Sequence, residues 1–172
     1  MRMASIPRCC SPLPRRWARR FRRLPDPGNR AKAEMAKTLA GQLVECFGQP
    51  QAMKALYAED VRWSLSPSLG KIAGPHEGLA AVGAFNRRIW EAVYFPEVEV
   101  ELLDELGDEN ASAVRFLYRA TYRNNGAPYE NQYALFVRSR DNRIHEIFES
   151  LDTLASINAY AGHPVDHNPY RS

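Results

Sequence analysis

Two carboxylates three residues apart, Glu149 and Asp152, close a stretch in which Ile147, Phe148 and Leu151 are apolar. A carboxylate among such neighbours loses hydration if it is held in a pocket. Its pKa then rises, which makes it a usable acid or base near neutral pH. Two acids sharing one dry pocket would repel each other until one kept its proton, placing an acid beside a base. Asp152 also stands directly before Thr153-Leu154, where an Asp can cap a helix instead. Glu149 is therefore the better base, and Asp152 stays open between chemistry and capping. His76, within Gly74-Pro75-His76-Glu77-Gly78, is of the residue type most used for proton transfer, although an exposed loop histidine fits that position too. Trp63, Tyr118, Asn131 and Tyr133 could bind a small molecule, or could pack together and satisfy one another.

The elements that must position these residues can be read from periodicity and turn chemistry. Two runs rich in aromatic and β-branched residues flank Ser139–Arg143, a hairpin signal although no Gly follows Asp141 or Asn142. Between Ala113 and Tyr122, Val114, Phe116, Tyr118, Ala120 and Tyr122 alternate with Arg115, Leu117, Arg119 and Thr121, without telling which face is inside. Pro96 to Leu102 is a third alternating strand, and Gly107–Asn110 and Asn124-Asn125-Gly126 are turns. Apolar spacing predicts helices over Ala33–Phe47, ended by Gly48 and Pro50, over Gln51–Tyr57 and over Leu79–Ala92. Ser64–Gly74 reads as a polar loop or short hairpin, and a short helix follows Asp152. Helix, helix, strand, helix and then four strands is the order of an α+β fold, one strongly curved mixed or antiparallel sheet wrapped around helices.

Asn131-Gln132-Tyr133, and then Asp141–Asp152 reading Asp-Asn-Arg-Ile-His-Glu-Ile-Phe-Glu-Ser-Leu-Asp, resemble the closing strands of the SnoaL-like family. That family has the nuclear transport factor 2-like fold, a cone-shaped α+β barrel. Leu56–Trp63 resembles its passage from helix into first strand, and Gly74–Gly78 its loop before a helix, which would put His76 near a pocket mouth. The resemblance spans roughly residues 36–160. It implies a mostly apolar cavity for a small apolar, carbonyl-containing molecule, worked on by general acid–base chemistry without a cofactor. Isomerase, cyclase and hydratase types are all compatible. A non-catalytic module that binds a ligand or a partner protein is the competing expectation. A homodimer is also implied, with Leu117 and Phe136 on an apolar outer sheet face. The site sets of characterised relatives are not reproduced. An epoxide-hydrolase relay would need Arg115 as its central residue, and the ketosteroid isomerase set does not match the spacing of Tyr57 and Asp60.

Charge divides the 172-residue chain. Residues 1–30 hold nine Arg and one acid, a net of +8, against +3 for the whole, so residues 31–172 carry −5. A mildly acidic domain argues against nucleic-acid binding. The expected organisation is a basic leader at 1–34, a cone-shaped domain at 35–162 and a tail at 163–172. The leader has five prolines and no apolar run long enough for a secretory signal or membrane span. It reads as a transit-like segment, as a disordered extension, or as the result of a start site assigned too far upstream. No membrane association and a cytoplasmic location are expected. Cys9, Cys10 and Cys46 suggest free thiols, with neither a disulfide framework nor metal-ligand spacing.

Overall fold

The structure, a computed structural model, describes residues 38–163. The expected leader at 1–34 and all but the first residue of the expected tail at 163–172 lie outside the described residues. Thr38 caps the first helix, α1 (Leu39–Glu45), by accepting from the Gly41 N–H. Glu105 in turn accepts from the Thr38 N–H and hydroxyl at 2.6 and 2.7 Å. A Cβ at Gly41 would meet the Glu105 carboxylate and push it off its bonds to Thr38. Pro50 does not simply end α1: it opens α2 (Pro50–Leu56) at the first helical position, where its missing N–H is not needed.

The chain then enters β1 (Tyr57–Leu65), so the expected loop at Ser64 begins inside a strand and continues as 3-10 turns over Pro67–Ala73. A two-residue strand, β2 (His76–Glu77), leads into α3 (Gly78–Arg88). The expected long helix is completed by a wider π turn over Ile89–Val93. Four strands follow: β3 (Glu99–Gly107), β4 (Ala111–Thr121), β5 (Pro128–Arg140) and β6 (Arg143–Leu151). Helix α4 (Thr153–Ala161) comes last.

These strands form one sheet in the order β2-β1-β6-β5-β4-β3. β1 runs parallel to β6 and every other neighbouring pair is antiparallel, giving a mixed sheet that stays open. The β5–β6 turn is the two residues Asp141 and Asn142, with φ of 53° and 55°. Asp and Asn tolerate that left-handed region, so the hairpin closes tightly without glycine.

Helices α1 and α3 pack on the sheet and settle which strand face is inside. Val114, Phe116, Tyr118 and Ala120 are buried, together with Leu135, Val137, Ile144 and Ile147 from β5 and β6. Arg115 and Arg119 face outward and pair with Asp104 and with Glu101 and Glu130. That outer face also exposes Leu106, Phe136 and Phe148. Among the described residues no helix is long and apolar enough to cross a membrane.

Candidate functional site

Between the inner sheet face, α3, the π turn and α4 lies a cavity of about 440 Å³. Its walls include Trp63 from β1, Tyr118 from β4, Tyr133 from β5, Glu149 from β6, and Phe85 and Trp90 from the helical side. The exposed lining residues Ser68, Arg88 and Tyr160 mark where it meets solvent.

Glu149 is the buried acid of this cavity, 7% exposed. Its Oε2 accepts a hydrogen bond of 2.9 Å from the Trp63 indole N–H. The strand register makes this possible. Trp63 pairs with Ile147, two residues before Glu149 on the same face of β6, so the indole needs to reach only one step along the sheet. Burial pushes the Glu149 carboxyl up to about 7, and the single Trp63 bond pulls the other way without offsetting it. Near neutral pH the group is thus divided between its two protonation states, as a general base requires.

Two buried donors in the same lining have no hydrogen-bond partner, the Tyr118 hydroxyl and the Trp90 indole N–H. A buried polar group left unpaired costs about 1–3 kcal/mol, which a ligand oxygen could recover. The two rings are neighbours, with centroids 6.2 Å apart, and Tyr118 also meets Tyr133 edge to face at 5.5 Å. Burial first, and then the Glu149 carboxylate, push the Tyr118 phenol above its ordinary range. It is therefore a protonated donor at neutral pH.

The other expected site residues are placed differently. Asp152 is exposed and caps α4, its Oδ1 accepting from the Ala155 N–H at 3.0 Å. It does not share the cavity with Glu149, so no acid pair forms there. His76 stacks on Phe85 with ring centroids 4.3 Å apart, and its Nε2 lies 3.1 Å from the Ile72 carbonyl oxygen. It supports a cavity wall from behind and does not itself line the cavity. Asn131 is committed elsewhere: its amide donates to the Tyr129 hydroxyl and to the Asp152 carbonyl oxygen, both at 2.8 Å. Tyr133 lines the cavity, with its hydroxyl hydrogen-bonded to Tyr129 at 2.8 Å.

Arg115 points outward to Asp104, while Asp60 is exposed beside Arg140. The Tyr57 hydroxyl accepts from Asn86. None of the site sets considered for characterised relatives is therefore assembled. Sequence reasoning missed Trp90, which it read as part of an apolar helix stripe. A π turn over Ile89–Val93 interrupts the 3.6-residue period at that point, and Trp90 lines the cavity. Among the described residues, no group of three or more His, Cys, Asp and Glu is placed to hold a metal ion.

Solved structures share this architecture. A nuclear transport factor 2-like protein of unknown function from Burkholderia pseudomallei superposes with a TM-score of 0.62 at 21% identity, covering 71% of this chain and 94% of its own. A candidate polyketide cyclase from Xanthomonas campestris gives 0.58 at 22% identity, covering 71% and 93%. A candidate isomerase from Rhodopseudomonas palustris gives 0.60 at 18% identity, covering 71% and 92%. No curated protein matches the chain at a significant level. The SnoaL-like domain model matches residues 44–147, which takes in β1, β4, β5 and the start of β6 and ends two residues before Glu149, and the chain belongs to the SnoaL-like family.

Proposed function

We propose that this protein is a cofactor-independent enzyme that moves a proton at the carbon next to a carbonyl group of a small, mostly apolar substrate. The observation that carries this reading is a buried carboxylate, Glu149, in an apolar cavity that also holds the unpartnered Tyr118 hydroxyl and Trp90 N–H. Glu149 takes the proton, and the C–H electron pair becomes the enolate, whose negative charge gathers on oxygen. Tyr118 and Trp90 donate to that oxygen, a stabilisation that grows as the charge develops. Protonated Glu149 can then return the proton at another carbon, which is isomerisation. Alternatively the enolate carbon attacks a second carbonyl, which is cyclisation. Structural neighbours named as a candidate isomerase and a candidate polyketide cyclase are in keeping with both outcomes.

Two further parts belong to the same reading. A second copy of the chain covers the outer face at Leu106, Phe136 and Phe148, which are 63%, 53% and 40% exposed. The location is cytoplasmic, in keeping with the free thiol of Cys46.

The test is deuterium incorporation from solvent into a panel of enolisable ketones, followed by NMR. A positioned base contributes ~10²–10⁴-fold, so Glu149→Gln should lose exchange by that factor while melting no lower at pH 7. Exchange at the wild-type rate in the variant would remove Glu149 from its role. Tight ligand binding with no exchange in either protein would return the cavity to ligand binding without catalysis.

A further inference from the structure

We infer that the substrate carries a carboxylate, which pairs with Arg88 where the cavity opens to solvent. This deepens the proton-transfer reading of the same cavity, and rests on it for what happens at Glu149.

Among the residues lining the cavity, two bear charge: Glu149, buried, and Arg88, exposed. Arg88 shares its lack of an ion pair with Arg87, Arg143, Lys54 and Lys71 among the described residues, but of these five it alone lines the cavity. Arg62, Arg115, Arg119, Arg138 and Arg140 each pair with a carboxylate, and Arg123 donates to the Tyr94 carbonyl oxygen. Arg88 has no ion pair among the described residues, although residues 31–172 carry a net charge of −5 and acids are plentiful. Glu91, three residues on, does not engage it.

A helix C-terminus attracts cations, and Arg87 and Arg88 both stand in the last turn of α3. That explanation does not single out Arg88. Moreover, the helix runs on through the π turn to Val93, so its free carbonyls lie further along the chain. What distinguishes Arg88 from Arg87 is that it lines the cavity.

A guanidinium presents a fixed fork of donors that matches a carboxylate with two parallel hydrogen bonds. An apolar ligand body among the rings, with its acidic end at Arg88, leaves its carbonyl end for Glu149 and Tyr118 on the sheet. A ligand anion near the buried carboxyl would meet repulsion, whereas one at the mouth does not. The charges therefore also fix which way round the substrate enters.

The experiment uses two probes that differ by one carboxylate, 6-acetyl-2-naphthoate and 2-acetylnaphthalene, titrated by calorimetry into the full chain. Arg88→Gln should weaken the naphthoate about tenfold, a modest factor because the pair is partly solvated, and leave the neutral ketone within about twofold. Arg138→Gln, in the outer groove beside Phe136 and Phe148, should change neither. The inference is overturned if Arg88→Gln leaves the naphthoate unchanged or weakens both probes equally. It is also overturned if the effect follows Arg138, or if the wild-type protein does not bind the naphthoate. Glu149→Gln separates the two readings. It should keep the preference for the naphthoate while losing deuterium exchange at the acetyl methyl. Exchange that persists in this variant sinks the proton-transfer reading and leaves the Arg88 affinity difference standing.

Discussion

Replacing Glu149 by Gln should make the protein more stable at neutral pH, an outcome that needs no knowledge of the substrate. Burial raises the carboxyl from its ordinary 4.5 to about 7. Below pH 4.5 it is neutral in both folded and unfolded chains and costs nothing. As pH rises through this window the unfolded chain gives up the proton while the folded protein retains it, so stability falls with pH, and the loss is complete above about 7. At about 1.4 kcal/mol per factor of ten in proton affinity, the full penalty is roughly 3 kcal/mol. Gln has nearly the same shape and still accepts from the Trp63 indole, but it does not titrate. Melting curves of both proteins between pH 4 and 8 (a window of roughly four units around the two pKa values) should coincide at the acid end. They should then separate steadily, until the variant melts roughly 10 °C higher at the alkaline end. Every other titrating group is common to the two proteins and cancels in the difference. Parallel curves would refute the claim that Glu149 is buried without adequate compensation.

Tyr118→Phe removes a buried hydroxyl that has no partner, so the protein should melt at the same temperature or slightly higher. Deuterium exchange into a ketone should nevertheless fall by ~10²–10³-fold, the usual effect of losing one donor to a developing oxyanion. Asp152→Ala should do the reverse, losing about 1 kcal/mol with the α4 cap and leaving exchange intact. Phe136→Ser on the outer sheet face should convert a dimer to a monomer in sedimentation at tens of micromolar, well above a typical ~1 μM dissociation constant. A wild-type protein already monomeric at that concentration would contradict the outer-face pairing.

The fold was legible because its signals were local. The alternation from Ala113 to Tyr122 and the polar centre at Asp141-Asn142 required the β4–β5–β6 meander, whatever the rest of the chain did. Strand parity was not legible, because both faces of β4 carry large side chains. It took α1 and α3, packed on the sheet, to decide that Tyr118 and not Leu117 faces the cavity. Glu149 stood out from its apolar neighbours and from its spacing along β6. Asp152, three residues later, carried the same chemical signal. Only the end of the strand and the start of α4 separate the two, and that boundary turns an acid into a cap. The partnership of Trp63 with Glu149 depends on the parallel β1–β6 pairing, between segments 86 residues apart, and nothing local announces it. Trp90 and Arg88 escaped notice for a similar reason: each fits an ordinary amphipathic helix until the π turn and the cavity wall give it a different neighbourhood.

The most direct test of the central claim is the pH dependence of deuterium incorporation into an enolisable ketone that the cavity binds. A buried base at Glu149 predicts a rate that rises with pH along a limb centred near 7 and then levels off, because the Tyr118 donor keeps its proton well beyond that point. The limb should vanish in Glu149→Gln. A wild-type profile that is flat across this range, or whose limb sits near 4.5, would mean that no buried carboxyl governs the reaction.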